Sequence, residues 1–281
     1  MNAPSILITG CSSGIGLCVA EGLAARGYRV FATARKIQDV AMLQAKGLEA
    51  LQLDLDDSAS IQAAVEAVLA RTGGRLDALF NNAGYGQPGA VEDLSRSALR
   101  AQFETNLFGM IELTNQVIPV MRRQGSGRII INSSLLGYVA LQYRGAYNAS
   151  KFAIEGIIDT LHLELRGSGV HVALVEPGPI KSRFRANAFD MYQRNIDTEQ
   201  SFHRDTYHAL AQRLTKVGPA APFTLGPEAV LEKVIHALES PRPKRRYYVT
   251  KPAYFLAYCK RFLPQSVLDR LLGAISDNEV K

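Results

Sequence analysis

The sequence predicts an α/β protein built on a doubly wound parallel sheet of about seven strands, with helices on both faces. Short runs rich in β-branched residues and leucine alternate with segments of helical periodicity. Most of these runs are apolar nearly throughout, as expected for strands that are covered on both faces. Repeated strand–helix alternation favours right-handed crossovers and therefore parallel pairing. The predicted strands are 5–9, 29–33, 49–53, 77–80, 128–132, 171–175 and 247–250.

The helices between these strands are predicted from their spacing and from their termini. The first helix begins near Gly14, after a glycine-rich loop. Ser58 is placed to cap a later helix. The Gly-Pro-Glu segment 226–228 opens another helix, because proline suits the first helical position and an acid suits the first turn. The helix after Ser58 presents a core-facing apolar stripe of Ile61, Val65, Val68 and Leu69.

Two regions depart from the alternation. Residues 179–226 are long, of mixed polarity and without an obvious strand, so we expect a substrate loop or lid there. The tail, 252–281, contains two apolar helical segments separated by Pro264. We interpret residues 1–281 as one domain, in which these regions are a lid and a C-terminal helical extension.

The composition narrows the possible functions. The net charge of +6 is spread along the chain without interleaved aromatic residues, so we expect no nucleic-acid partner. No run reaches the roughly 18 apolar residues of a membrane-spanning helix. The N-terminus leads into a strand rather than a signal peptide. The three cysteines lack CxxC spacing, which argues against a disulfide framework or a metal site and fits a cytoplasmic location.

The loop TGCSSGIG at 9–16 predicts a dinucleotide-binding site. Gly10 permits the tight turn out of the first strand, while Gly14 and Gly16 allow the backbone to approach a pyrophosphate closely. The N-terminus of the following helix directs free N–H groups and a positive dipole at that phosphate. A strand–loop–helix context is what this motif requires. A sterically tight turn without a ligand is the alternative.

The end of the second strand predicts NADP(H) rather than NAD(H). NAD-binding proteins place an acid near this position to bond the ribose 2′-hydroxyl. Here Thr33 and Ala34 are followed by Arg35 and Lys36. An arginine binds a 2′-phosphate bidentately, whereas a carboxylate repels it. We predict Arg35 as the main contact and Lys36 as a secondary one; two solvated charges at the start of a loop are the alternative.

Several motifs in order resemble the short-chain dehydrogenase/reductase family. The resemblance covers about residues 4–180 closely and the remainder loosely. Within the family the chain is similar to the branch of retinol, 17β-hydroxysteroid and acyl-dihydroxyacetone-phosphate reductases. The resemblance implies a Rossmann fold and an oxidoreductase that acts on CH–OH groups with NAD(P). The motifs are TGCSSGIG, Asp54-Leu55, NNAG (81–84), Asn106, Ser134, Tyr147-x-x-x-Lys151 and Pro177-Gly178.

The resemblance implies a catalytic set of Ser134, Tyr147, Lys151 and Asn106. Positions four apart share a helix face, so Tyr147 and Lys151 point the same way. A nearby cation favours the phenolate, and we expect a tyrosine pKa lowered by about three units, worth roughly 4 kcal/mol. Such a phenol suits general acid–base catalysis. By resemblance, Ser134 bonds the substrate oxygen, Lys151 also holds the nicotinamide ribose, and Asn106 holds a water in a proton relay.

The resemblance also implies further cofactor contacts. Asp54 and Leu55 belong to an adenine pocket, although Asp54 also suits a cap. Residues 82–84 lie along the cofactor, although they also suit a structural turn. The usual threonine after 177–180 is missing, and Ser182 is its candidate replacement. The predicted cofactor set is Gly10, Ser12, Ser13, Gly14, Ile15, Gly16, Arg35, Lys36, Asp54, Leu55, Asn82, Ala83, Gly84, Tyr147, Lys151, Pro177, Gly178 and Ile180.

The substrate pocket is expected from segments 85–95, 135–144 and 179–226. The residues beside the catalytic set offer no cation for a phosphate, although Arg144 is close. An apolar pocket suits a lipophilic carbonyl or alcohol, such as an aliphatic aldehyde, a retinoid or a steroid. The expected apolar lining is Leu135, Leu136, Tyr138, Val139, Ala140 and Leu141.

Together these features predict an NADPH-dependent carbonyl reductase. The alternatives are a non-catalytic NADP-binding regulator, an epimerase or dehydratase on the same fold, and an acyl-dihydroxyacetone-phosphate-type reductase at a membrane surface. The apolar and basic segment 253–263 suits a pocket cover, a subunit contact or, less favoured, a peripheral membrane contact. By resemblance, a homodimer or homotetramer pairs through helices near 98–123 and 147–166.

Overall fold

A single seven-stranded parallel sheet forms the centre of the computed structural model, which describes residues 3–219 and 221–279. The strands are β1 (Ser5–Ile8), β2 (Arg29–Ala34), β3 (Glu49–Gln52), β4 (Ala78–Asn81), β5 (Gly127–Asn132), β6 (Val170–Pro177) and β7 (Arg246–Val249). Every predicted strand is therefore confirmed within one or two residues of its predicted ends, and the strand order in the sheet is β3-β2-β1-β4-β5-β6-β7.

Helices cover both faces of this sheet, and a π-helical turn at Glu104–Phe108 joins α4 to α5. The helices are α1 (Gly14–Ala25), α2 (Ile37–Ala45), α3 (Ser58–Arg71), α4 (Arg96–Phe103), α5 (Gly109–Gln124), α6 (Gly145–Glu164), α7 (Phe184–Asn195), α8 (Arg204–Thr215), α9 (Glu228–Glu239), α10 (Lys251–Phe262) and α11 (Gln265–Glu279).

The apolar strands explain the two-sided core. Successive residues of a strand point to opposite faces, and both faces of β1 are buried. Ile6 and Ile8 pack in the cluster that contains α1 and α9, whereas Leu7 packs in the cluster that contains α3, α5 and α6. The predicted doubly wound Rossmann fold is therefore confirmed.

Two helix starts differ from the prediction. The carboxylate of Asp57 caps α3 by accepting the N–H of Ala59 at 2.9 Å. Ser58 is the first helical residue instead, and its hydroxyl donates to Glu112 at 2.9 Å. The prediction failed because adjacent Asp and Ser residues both suit a cap, and the extended backbone lies at Asp57. Likewise, Pro227 is the N-cap of α9 rather than its first residue.

The segment 179–226 contains α7 and α8, and a β-bridge between Ile180 and Leu225 joins its two ends. These helices bury a separate apolar cluster around Tyr192, Tyr207 and Leu210. The tail forms α10 and α11, which Pro264 separates as predicted. The described helices include none that combines the length and apolar character needed to cross a bilayer.

Candidate active site

A cavity of about 600 Å³ lies where the carboxyl ends of the central strands meet α6 and α7. The segments that follow β4, β5 and β6 all contribute to its wall. In doubly wound sheets, ligands bind outside the carboxyl ends of the strands, where the strand order reverses. Here that point lies between β1 and β4. The predicted site residues that line the cavity are Ile15, Asn82, Gly84, Ser134, Tyr147, Lys151, Pro177, Gly178 and Ile180.

The glycine loop has the shape that its sequence predicts. Gly10 and Gly14 have positive φ angles of 72° and 58°, which glycine adopts without strain. A Cβ atom on Gly16 would overlap the carbonyl oxygen of Gly10. The N-cap of α1 is Ser13, whose side chain makes no capping hydrogen bond. The tight backbone and the uncapped helix N-terminus fit the phosphates of a dinucleotide.

Asn82 and Ala83 join the carboxyl ends of the central strands. Their backbone N–H groups both donate to the Thr9 hydroxyl at 2.9 Å. The Asn82 amide donates to the carbonyls of Thr9 and Gly10 at 3.0 and 3.2 Å, and it accepts from Asn132 at 3.0 Å. Residues 82–84 therefore form a structural turn, which was the alternative to a cofactor contact. Asn82 and Gly84 also line the cavity.

Arg35 and Lys36 follow β2, and both are exposed. The guanidinium of Arg35 makes no hydrogen bond within the described parts of the chain; only its carbonyl is engaged, by Gln52 at 3.0 Å. Asp54 accepts the N–H of Asp56 at 3.1 Å. Leu55 is 5% exposed and its side chain packs in the core, so that side chain is not available to a ligand.

The structure brings Ser134, Tyr147 and Lys151 together. Ser134 begins a short 3-10 turn after β5, and its hydroxyl accepts the N–H of Leu136 at 3.1 Å. The Lys151 ammonium lies 5.7 Å from the centre of the Tyr147 ring, on the same face of α6. It donates to the carbonyl of Asn132 at 2.7 Å. The predicted i, i+4 arrangement is therefore present.

The predicted lowering of the Tyr147 pKa is not found. Burial raises the pKa of Tyr147 to about 12, and this outweighs the opposing effects of the Ser134 hydroxyl and the Arg144 charge. Burial likewise lowers the pKa of Lys151 to about 8, while the charge of Glu155 raises it. The prediction failed because it counted the charge beside the phenol and not the desolvation of both groups.

Asn106 lies in the π-helical turn, with its side chain fully hydrogen-bonded. Its amide nitrogen donates to the carbonyl of Tyr85 at 3.0 Å and to the hydroxyl of Ser150 at 3.1 Å. Its amide oxygen accepts the N–H of Tyr85 at 3.0 Å. Asn106 thus fastens the loop after β4 to α6, one residue before Lys151. The proton relay remains a prediction.

Half of the predicted apolar lining faces elsewhere. Leu135, Leu136 and Leu141 line the cavity. Tyr138 does not, because its hydroxyl donates to the carbonyl of Ala253 at 2.7 Å and its ring packs near α10. Two further corrections are Val139, which is 2% exposed in the same cluster, and Ala140, which faces solvent.

Phe184, the first residue of α7, and Ser182, which lies just before that helix, both reach the site. The ring of Phe184 packs edge-on against Tyr147 at 5.3 Å between centroids, and no local pattern in the sequence indicates this. Ser182, the candidate replacement for the missing threonine, lines the cavity. Its Cβ lies 2.8 Å from where a Cβ of Gly14 would stand, so Ser182 borders the glycine loop.

The cavity is also more basic than expected. The sequence indicated only Arg144 near the pocket, but two other arginines and a lysine line the same space. They come from α7, α8 and the loop before α7, which the sequence did not place relative to one another. The charged lining residues beyond Lys151 are Arg144, Lys181, Arg185, Arg213 and Glu279.

A partly buried ionic network lies next to the catalytic residues. Glu155 accepts hydrogen bonds from the Ser133 hydroxyl and from Arg246. Arg246 also binds Glu176, which is fully buried, and Asp159 at 2.8 Å. Burial and the neighbouring Glu155 raise the pKa of Glu176 above its usual range. The network links β6, β7 and α6 one helical turn from Lys151, and no pattern in the sequence indicates it.

Comparison with known proteins supports an oxidoreductase. A family model described as short chain dehydrogenase matches residues 4–193. The "Uncharacterized oxidoreductase YbbO" of Escherichia coli (strain K12) is 42% identical over 268 residues, which cover 95% of this chain and 93% of that protein. The 17-beta-hydroxysteroid dehydrogenase type 1 of Homo sapiens is 36% identical over 273 residues, which cover 92% of this chain and 78% of that protein.

Solved structures give the same result for the fold. A short-chain dehydrogenase/reductase from Burkholderia phymatum, determined in complex with NAD, superposes with a TM-score of 0.76. It is 26% identical, and the match covers 92% of each chain.

Proposed function

The chain belongs to the short-chain dehydrogenase family and is an oxidoreductase, and on this premise we propose that it is an NADPH-dependent carbonyl reductase of lipophilic aldehydes or ketones. The observation that carries the proposal is the convergence of Ser134, Tyr147 and Lys151 on one largely apolar cavity beside the glycine loop. The glycine loop and Arg35 would hold NADPH, which would supply the hydride when bound.

Tyr147, Ser134 and Lys151 all serve the proton transfer to the oxygen of the substrate carbonyl. Tyr147 keeps its proton throughout the neutral range, because burial raises its pKa to about 12, and so it serves as the general acid in reduction. The Ser134 hydroxyl donates a hydrogen bond to the oxygen as its negative charge develops. The Lys151 ammonium stabilises the phenolate that remains after proton transfer.

The expected loss of activity in Tyr147→Phe tests this role. The variant keeps the ring and its packing on Phe184 but removes the phenolic proton. We expect NADPH oxidation over a panel of aldehydes, retinoids and steroids to fall by at least about 100-fold, as for loss of a general acid, with NADPH binding retained. Tyr258→Phe, on the exposed face of α10, is the matched control. Turnover retained in Tyr147→Phe refutes the role, and NADPH binding without turnover of any carbonyl by the wild type favours a regulator.

The preference for NADPH follows from the charge after β2. Arg35 is exposed, and its guanidinium makes no hydrogen bond within the described residues, so it is available to a 2′-phosphate. We expect Arg35→Ala to weaken NADPH binding by about 10- to 100-fold, the strength of charge-assisted hydrogen bonds, and to leave NADH binding unchanged. Arg123→Ala, at the exposed end of α5, is the control. Equal losses for both cofactors contradict the assignment.

A cytoplasmic location is part of the same proposal. The three cysteines are unpaired, and Cys11 is fully buried in the core. Burial raises the pKa of its thiol to about 12, so it stays an inert thiol rather than a reactive one. Free thiols of this kind fit a reducing compartment.

A further inference from the structure

Two arginines in the cavity share one carboxylate, which comes from the end of the chain. The Arg213 guanidinium, on α8, lies 2.9 Å from one oxygen of Glu279, on α11. Arg144, the residue before α6, binds the other oxygen. We call Arg144 and Arg213 the arginine pair. Both members line the same cavity as Tyr147.

The arginine pair is short of negative charge and largely shielded from water. The side chains of Arg144, Arg213 and Glu279 are 19%, 16% and 20% exposed, so two cations face one anion in a partly desolvated place. Burial and the Arg144 charge lower the pKa of Arg213. The Nε of Arg213 is buried and has no hydrogen-bond partner within residues 3–219 and 221–279. An unmatched buried donor of this kind is costly, and the single Glu279 carboxylate leaves both this donor and one positive charge of the arginine pair unmatched.

The surroundings hold the arginine pair in place and add to its positive field. Arg185, on α7, donates to the carbonyls of Arg213 and Lys216 at 3.1 and 2.9 Å, and so fixes the end of α8. The cavity that the arginine pair shares with the catalytic residues also has an apolar lining. It includes Leu136, Leu141, Phe184, Ala188, Leu210 and Leu214.

We propose that the arginine pair binds an anionic group of the substrate, a carboxylate or a phosphate, while the carbonyl of the same molecule lies at Tyr147. The proposal rests on the carbonyl reductase function proposed above and narrows its substrate class to lipophilic carbonyl compounds that carry an acid. Arginine forks match both acids bidentately. In the structure the carboxylate of Glu279 takes the place of that acid and competes with it.

Paired aldehydes test the proposal with the wild-type protein. NADPH oxidation is measured with hexanal, nonanal and dodecanal, each beside the aldehyde acid that carries a carboxylate at its other end. A third arm uses aldehydes that end in a phosphate and so distinguishes the two acids. We expect kcat/KM for the acid-bearing member to be at least about tenfold higher at one chain length or more, as for charge-assisted hydrogen bonds.

Two variants that should change the preference for acid-bearing aldehydes in opposite directions test whether the arginine pair causes that preference. In Arg213→Gln the ratio of kcat/KM, acid-bearing over uncharged aldehyde, should fall to about one, because most of the preference is a charge-assisted contact. In Glu279→Gln the ratio should rise, because the competing carboxylate is gone. Arg194→Gln removes an exposed charge from α7 outside the cavity and should leave the ratio unchanged.

The two proposals fail in different ways. If none of the tested carbonyl compounds supports NADPH oxidation by the wild type, the reductase function is wrong. If both members of every pair react equally well, and neither Arg213→Gln nor Glu279→Gln changes the ratio, the anion site is wrong and the reductase function stands. Thermal unfolding of each variant shows whether a change in ratio accompanies a loss of folded protein.

Discussion

Desolvation governs the protonation of the catalytic pair more strongly than the attraction between them. Burial keeps Tyr147 protonated at neutral pH and lowers the pKa of Lys151 to about 8, so that the ammonium loses its proton only slightly above neutral pH. Near neutral pH the phenol therefore holds the proton that reduction of a carbonyl requires, and the Lys151 ammonium lies beside it. The charge on Lys151 is then the property most sensitive to pH, and Glu155, one turn further along α6, supports that charge.

The pH profile of reduction should report this lysine. Below about pH 8 Lys151 is protonated and stabilises the developing phenolate; above it the charge is lost. We expect log(kcat/KM) for reduction to decline as the pH rises through about 8. Glu155→Gln removes the charge that raises the lysine pKa, so the decline should begin at lower pH. The measurement is kcat/KM against pH, with exposed Glu66→Gln on α3 as control. A profile identical in Glu155→Gln and wild type contradicts the coupling.

Some of the site could be predicted from the sequence because it is local. Tyr147 and Lys151 share a face by helix geometry alone. The sign of the Tyr147 pKa shift could not be predicted, since it depends on burial by residues such as Phe184 from another helix. The meeting of Arg213 with Glu279 depends on how two distant helices dock, and no spacing in the sequence encodes that.

The strands and the glycine turn were predictable as elements because each has its own steric signature. Strands buried on both faces must be apolar throughout. By contrast, α7 and α8 bury only part of their surface against a small cluster, so their mixed polarity concealed them. The cap of α3 was misplaced by one residue because Asp57 and Ser58 are both good caps.

Gly16→Ala tests the steric argument for the turn. An added methyl would overlap the backbone oxygen of Gly10, so α1 must move away from β1. We expect unfolding to become easier by about 1–3 kcal/mol, as for overpacking, and NADPH to bind more weakly. Gly273→Ala, in α11, is the matched control; its methyl meets nothing within 4 Å and should stabilise the helix by up to about 1 kcal/mol. Thermal unfolding and NADPH titration measure both effects, and wild-type binding by Gly16→Ala would show that the loop tolerates a side chain.

At the scale of the whole molecule, the cavity is assembled from three parts of the chain. The turn after β5 and helix α6 supply Ser134, Tyr147 and Lys151, the helices α7 and α8 form one wall, and the end of α11 closes the wall with Glu279. The outer surface of α5 and α6 takes no part in this. It has a groove whose apolar residues include Met110, Ile111, Ala153 and Ile157 and whose polar residues include Thr114 and Glu164. Phe108, just before α5, and Phe152 and Leu163, on α6, are exposed apolar side chains.

We propose that a second copy of the chain covers this groove, as the resemblance to paired family members implies. Contiguous exposed apolar surface on two long helices is typical of a subunit contact. Light scattering should give a mass of at least twice 30.7 kDa for the wild type. Ile157→Asp places a charge in the groove and should yield the monomer. Phe262, on α10, is 70% exposed, and Phe262→Asp should keep the wild-type mass. If this surface of α10 contacts membranes, the same variant should also float less with lipid vesicles than the wild type does. A wild type that runs as a monomer, or an assembly that Ile157→Asp leaves intact while Phe262→Asp dissociates it, places the subunit contact elsewhere.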